Sequence, residues 1–169
     1  MQQFLQPQHV DLGLDGGRRG FRNLPLPEPV PDLDTYLRER ELALSVSGRR
    51  RENYEKYLAG RRRNSRPDYL PIKLDIENVS RCNFRCKMCV VGDWPKMTRA
   101  ADMSLSDFKL LIDEQYGLVE IKLQGIGEPL LQRDVFFEMI KYARAQHIWV
   151  RTTTNASLLH LNGNYKKLF

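Results

Sequence analysis

The strongest constraint on the fold is a repeated switch in the spacing of apolar residues after Tyr69. Leu70, Ile72, Leu74 and Ile76 alternate with Lys73, Asp75 and Glu77, the period-two pattern of a strand with one apolar and one polar face. Ser104-Leu105-Ser106-Asp107 then offers a helix cap. Phe108, Leu111 and Ile112 begin an amphipathic helix running to about Tyr116, and Gly117 stops it. A second strand follows, with Val119, Ile121 and Leu123 alternating with Glu120, Lys122 and Gln124. Residues Arg133 to Gln146 read as a second helix with Phe136, Met139, Ile140 and Ala143 on its buried stripe. The third strand is Ile148 to Asn155, where Val150, Thr152 and Thr154 alternate with Arg151, Thr153 and Asn155. Asn164 to Phe169 begins another helix. Strand, helix, strand, helix, strand predicts an α/β fold with parallel strands joined by right-handed crossovers.

Parallel strands covered by helices on both faces are usually continuous apolar runs. These three strands each keep a polar face instead. Two architectures meet that pattern. One is a curved sheet with helices outside and a polar lumen inside, a partial TIM-like (β/α) barrel. The other is an open sheet with one face in water.

All three cysteines fall in one loop after the first strand, Cys82-Asn83-Phe84-Arg85-Cys86-Lys87-Met88-Cys89. Thiolates are soft ligands suited to iron–sulfur clusters and zinc. Confinement to eight residues argues against three cysteines acting as unrelated buried apolar side chains. A disulfide framework is disfavoured by the odd count and by an N-terminal segment, Met1 to Leu12, without a secretory pattern. A zinc site would draw its fourth ligand from His9, His147 or His160, none of them near in sequence. A zinc-stabilised binding module with a basic, nucleic-acid-contacting arm is therefore the alternative to a cluster.

The C-x3-C-x2-C spacing resembles the signature of the radical S-adenosylmethionine (radical SAM) enzymes. The resemblance implies that Cys82, Cys86 and Cys89 ligate three irons of a 4Fe–4S cluster. It further implies that S-adenosylmethionine chelates the fourth iron and is cleaved by one electron to a 5′-deoxyadenosyl radical that abstracts hydrogen from a substrate. A reductant such as flavodoxin or ferredoxin is the implied electron source. The core of that family is a barrel of six β/α units.

Two further stretches fit the resemblance. Gly125-Ile126-Gly127-Glu128-Pro129 follows the second strand at its C-terminal end, the ligand-facing end in α/β architectures. It is similar to the family's Gly-Gly-Glu-Pro motif, which implies that Glu128, with backbone of Gly125 or Gly127, binds the S-adenosylmethionine amine. Taken alone, a plain strand–helix turn explains it. Thr152-Thr153-Thr154-Asn155 resembles the family's Thr-Asn-Gly, with Ala156 in place of the glycine, and puts Thr153 and Asn155 near the cofactor. Ordinary strand filling and an Asn turn explain it equally well. Met88 occupies the place of an aromatic that packs near the adenine.

The resemblance spans residues 69–169, the N-terminal half of such a core. The chain is expected to be part of a longer enzyme, with little turnover alone. Residues 1–31, rich in proline and glycine, read as an irregular arm. Residues 32–68 read as a basic helical extension, with Leu33, Tyr36 and Leu37 at helical spacing, a break at Ser45 to Gly48, and a second helix from about Glu52 to Ala59. The net charge of +6 is concentrated in Arg49-Arg50-Arg51 and Arg61-Arg62-Arg63 with Arg66. These runs are either solvated helix flanks or a phosphate-contacting surface. No apolar run approaches the roughly 20 residues that cross a bilayer, and free thiols without an export signal suit the cytoplasm.

Overall fold

The structure, a computed structural model, describes residues 33–60, 67–90 and 100–168. The expected arm (1–31), Arg61, Arg62, Arg63, Arg66 and His9 lie outside the described residues. Two helices come first, α1 (Leu33–Ser45) and α2 (Gly48–Gly60). They are followed by β1 (Lys73–Ile76), α3 (Leu105–Glu114), β2 (Glu120–Leu123), a 3-10 turn (Pro129–Gln132), α4 (Asp134–Ala145), β3 (Trp149–Thr152) and the short α5 (Asn164–Leu168). The strands form one open, parallel sheet in the order β1-β2-β3.

Helix α3 starts where its cap predicts. Ser104 Oγ accepts from the Asp107 backbone N–H at 3.0 Å, satisfying one of the donors a helix start leaves over. Its Phe108 and Ile112 are fully buried with Phe136, Met139 and Ala143 of α4 against Ile76, Ile121 and Leu123 of the sheet. Each such side chain contributes about 1.5–3 kcal/mol of burial. One face of the sheet is thereby covered, and the alternation of β2 sends Glu120, Lys122 and Gln124 to the other.

That polar face carries an ionic ladder. The Glu120 carboxylate takes Lys73 of β1 at 3.2 Å and Arg151 of β3 at 3.3 Å. Glu120 is only 5% exposed, and a carboxylate so enclosed needs such partners.

The strands are shorter than the alternation suggests, and Asn53 of α2 supplies one reason. It accepts from Leu70 N at 2.8 Å and donates to Leu70 O at 3.1 Å, so that backbone serves the helix and not the ladder. Strand pairing begins instead at Ile72, whose carbonyl accepts from Val119 N at 2.9 Å.

Helices α1 and α2 belong to this unit. Ala43, Leu44 and Tyr54 pack with Val119 and Ile72, which lead into β2 and β1, and Tyr36 meets Trp149 of β3 at 5.6 Å. Helix α2 begins at Gly48, earlier than expected, so Arg49 and Arg50 fall inside its first turn. The first Arg run is consequently not a uniform surface patch. Arg50 is 5% exposed. It donates to the carbonyls of Ala43 at 3.1 Å, Gln146 at 3.0 Å and Tyr116 at 3.3 Å, at or just beyond the C-termini of α1, α4 and α3. Those ends carry partial negative charge, which explains a cation at the unfavourable end of its own helix. Burial pushes the guanidinium down from its ordinary pKa. Arg49 stacks 3.4 Å above the Tyr116 ring.

Candidate functional site

The C-terminal ends of the three strands converge on one place. The cysteine loop leaves β1 through a neck of buried residues, Asn78, Val79 and Ser80. The neck is tied to the returning chain by Met103 N to Asn78 O at 2.9 Å and Ser80 Oγ to Ala100 O at 3.0 Å. Arg81 closes it with a 2.7 Å ion pair to Asp102. Gln132, from the 3-10 turn after β2, spans both sides. Its Oε1 accepts from Asn78 Nδ2 at 2.7 Å and its Nε2 donates to Met103 O at 2.6 Å. The base of the loop is thus fixed by protein contacts alone.

Within the loop all three thiols are free. Cys82 and Cys89 are half-buried and Cys86 is exposed. Cys89 N donates to Cys86 O at 3.0 Å, forming a tight turn between the second and third cysteines. Two donors face the Cys82 sulfur, the Phe84 N–H at 3.4 Å and Asn155 Nδ2 at 3.8 Å. Met88 is 96% exposed and does not reach the cleft described below.

The Gly125–Pro129 turn packs directly on the neck. A side chain on Gly127 would overlap the Val79 carbonyl oxygen and crowd that of Arg81, so only glycine fits. Glu128 N donates to Arg81 O at 2.9 Å across this close approach. At Gly125 the neighbour is the side chain of Glu77. Gly127 is therefore the position fixed by backbone contact.

Glu128 is 2% exposed. Its Oε1 accepts from Leu130 N at 3.1 Å and Thr154 Oγ1 at 2.6 Å, and its Oε2 accepts from Asn155 N at 2.7 Å. The carboxylate thus fastens the end of β3 to the turn after β2. Asn155 reaches on to the cysteine loop. Its Nδ2 donates to Asn83 Oδ1 at 3.0 Å, Asn83 Nδ2 donates to Ser157 Oγ at 2.8 Å, and Ser157 Oγ donates to Asn155 Oδ1 at 2.6 Å. Ala156, where the motif resembled has glycine, sits at φ 63°, a left-handed conformation that favours glycine.

These contacts enclose a cleft of about 240 Å³ lined by Cys82, Gln124, Gly125, Gly127, Glu128, Thr153, Thr154 and Asn155. Six of the predicted residues meet there, from three different loops. Asn83, Ser157, Gln132 and the Arg81–Asp102 pair escaped sequence reasoning, since short polar residues in loops carry no periodic signal. Gln124 did carry one, the polar parity of β2.

The donor set fits an iron–sulfur cluster. Three free thiols confined to one loop are soft ligands of the kind such a cluster takes.

Residues 76–167 match the model of the family described as "4Fe-4S single cluster domain". The chain is 32% identical over 89 residues to a tungsten-containing aldehyde ferredoxin oxidoreductase cofactor-modifying protein of Pyrococcus furiosus, covering 51% of this chain and 24% of that protein. It is 40% identical over 99 residues to a GTP 3′,8-cyclase of Sulfurimonas denitrificans, covering 54% and 28%. It is 35% identical over 89 residues to the mycofactocin maturase MftC of Mycolicibacterium smegmatis, covering 50% and 21%. The matched stretch amounts to about a quarter of the length of these relatives. It contains the cysteine loop, the turn after β2 and the end of β3, and the chain accordingly belongs to the 4Fe–4S single cluster domain family as a radical SAM protein, with an iron–sulfur cluster and S-adenosylmethionine as its cofactors.

Proposed function

We propose that Cys82, Cys86 and Cys89 hold the 4Fe–4S cluster and that the cleft beside Cys82 takes S-adenosylmethionine, for reductive cleavage and hydrogen abstraction. The observation that carries this reading is the cleft itself, bounded at once by a cluster cysteine and by the ends of β2 and β3. When bound, the cluster supplies one electron to the sulfonium, which yields methionine and a 5′-deoxyadenosyl radical able to take a hydrogen atom from substrate.

The chain's own residues hold the geometry. The Asn78–Gln132–Met103 contacts fix the base of the loop, and Asn155 and the Phe84 N–H orient Cys82. Gly127 lets the turn approach the neck, leaving backbone close to the ligand. Glu128 keeps the β2 and β3 loops in register, and Thr153 and Asn155 form the far wall. The wider architecture we read as part of a TIM-like barrel, with the Lys73–Glu120–Arg151 face turned to the lumen and further strands continuing from β3. Flavodoxin or ferredoxin is the class of reductant that fits.

The test is anaerobic reconstitution, then dithionite and S-adenosylmethionine, with 5′-deoxyadenosine measured by chromatography. Binding of S-adenosylmethionine to the cluster-loaded chain is the expected result, with little release and any release dependent on both additions. A reconstituted protein that neither binds nor cleaves S-adenosylmethionine would overturn the reading.

A further inference from the structure

Arg133 carries a strain that the fold around it does not explain. Its backbone stands at φ 55°, ψ −129°, a region glycine enters freely and a residue with a Cβ enters at a cost. Strain of this kind clusters at functional sites. Helix α4, which Arg133 precedes, takes no capping hydrogen bond from its side chain. That side chain is exposed and makes no hydrogen bond or ion pair with any described residue. The adjacent Asp134 is taken by Lys167 at 2.8 Å. The guanidinium is therefore a free cation held at a fixed place on the surface.

That place is the wall of a cavity of about 450 Å³, lined also by Arg81, Leu131, Leu158, Leu161 and Lys167. A neighbouring cavity of about 550 Å³ shares Arg81, Leu131 and Arg133 and adds Val135. Leu161 and Val135 are 43% and 37% exposed. The anions lining the two cavities, Asp102 and Asp134, are each paired with a cation already. Apolar side chains rimmed by cations, arginine above all, have the composition of a protein-docking surface. The surface adjoins the cysteine loop, since Arg81 precedes Cys82 and its guanidinium donates to Leu131 O at 3.1 Å. Arg85 and Lys87, exposed between the cysteines, add positive charge there. None of the residues lining the two cavities lines the cleft beside Cys82. We propose that this surface docks an acidic one-electron carrier protein, with Arg133 as its principal cation. The proposal rests on the cluster assigned to Cys82, Cys86 and Cys89, and it says where the electron enters. Such a carrier must come close to the cluster and leave the cleft free for S-adenosylmethionine, and this surface meets both conditions. Encounters of this class are small and brief, and opposite charge steers them.

The test follows electron exchange with a purified acidic flavodoxin by stopped-flow absorbance. The reconstituted chain is reduced with dithionite, desalted without oxygen and mixed with oxidised flavodoxin. The cluster loses one electron, and the flavin gains that electron and a solvent proton to become the neutral semiquinone. A neutral quinone, too small to need a docking surface, serves as the parallel oxidant. Arg133→Glu should slow semiquinone formation about threefold to thirtyfold at low ionic strength, with the difference shrinking as salt is added. Its iron content, its S-adenosylmethionine affinity and its rate with the quinone should match wild type. Arg133→Gly removes guanidinium and strain together, and should be slower with flavodoxin while melting no lower than wild type. Arg51→Glu reverses an exposed charge on α2 and controls for net charge. Wild-type speed in both Arg133 variants, or an equal loss in Arg51→Glu, would overturn the proposal. So would a wild-type rate indifferent to salt, or an equal loss with the quinone, which would report damage to the cluster. A wild-type cluster that the quinone oxidises and flavodoxin does not would overturn the docking surface and leave the proposed function standing. A wild-type chain that holds no cluster would overturn both.

Discussion

Glu128→Gln separates two roles for one side chain. In the structure the carboxylate accepts three hydrogen bonds, from Leu130 N, Thr154 Oγ1 and Asn155 N. The amide is nearly isosteric but keeps one acceptor oxygen. If that oxygen stays with Leu130 and Thr154, an NH2 group faces the Asn155 N–H at the site of a 2.7 Å hydrogen bond. A charged hydrogen bond is worth about 1.5–3 kcal/mol, and the stranded buried N–H adds to the loss. A destabilisation of roughly 2–4 kcal/mol follows, or about 5–15 °C in melting temperature for a chain of this size. Circular dichroism melting of the apoprotein is the assay, because it involves neither cluster nor S-adenosylmethionine. An unchanged melting temperature would refute the reasoning, and would mean that the carboxylate serves a ligand and not the β2 and β3 loops.

Three further outcomes follow from the geometry. Arg50→Ala strands the carbonyls of Ala43, Tyr116 and Gln146 and should cost about 3–5 kcal/mol in urea unfolding, with Arg50→Lys recovering only part because an ammonium lacks the planar fork. Ala156→Gly relieves the left-handed strain at φ 63° and should raise stability by up to about 1 kcal/mol, read as a higher urea midpoint with the same slope. Gly127→Ala forces a methyl group onto the Val79 carbonyl and should cost about 1–3 kcal/mol or more, with lowered cluster yield, whereas neutral behaviour in both would contradict the close packing of turn and neck.

The parts of this fold that were legible in the sequence are those with a local period. The Ser104 cap, the apolar stripe from Phe108 to Ile112 and the parity of β2 each depend on residues a few positions apart, and the structure has them as read. The strands were overextended because alternation persists into residues whose backbones are taken elsewhere, Leu70 by Asn53 and Asn155 by Glu128. Arg50 misled because a run of three arginines reads as surface. Its partners Tyr116 and Gln146 lie far along the chain, and nothing local announces them. At the site, cysteine spacing and the Gly-x-Gly-Glu-Pro turn marked the right loops. The Gly-x-Gly-Glu-Pro resemblance implies a ligand-binding carboxylate at Glu128, and no local pattern announces the protein donors it also accepts from. Its three donors come from two segments that only the tertiary structure brings together.

The most direct test of the account is the iron and acid-labile sulfide content of the anaerobically reconstituted chain and of its Cys82→Ala, Cys86→Ala and Cys89→Ala variants. These are the only thiols in the sequence, and a 4Fe–4S cluster is the group the family carries. Wild type should contain about four irons and four sulfides per chain, with the brown colour of a cluster, and each variant should lose most of both while still folding. Full iron and sulfide in any one variant, or a colourless wild type holding one zinc, would contradict the central claim.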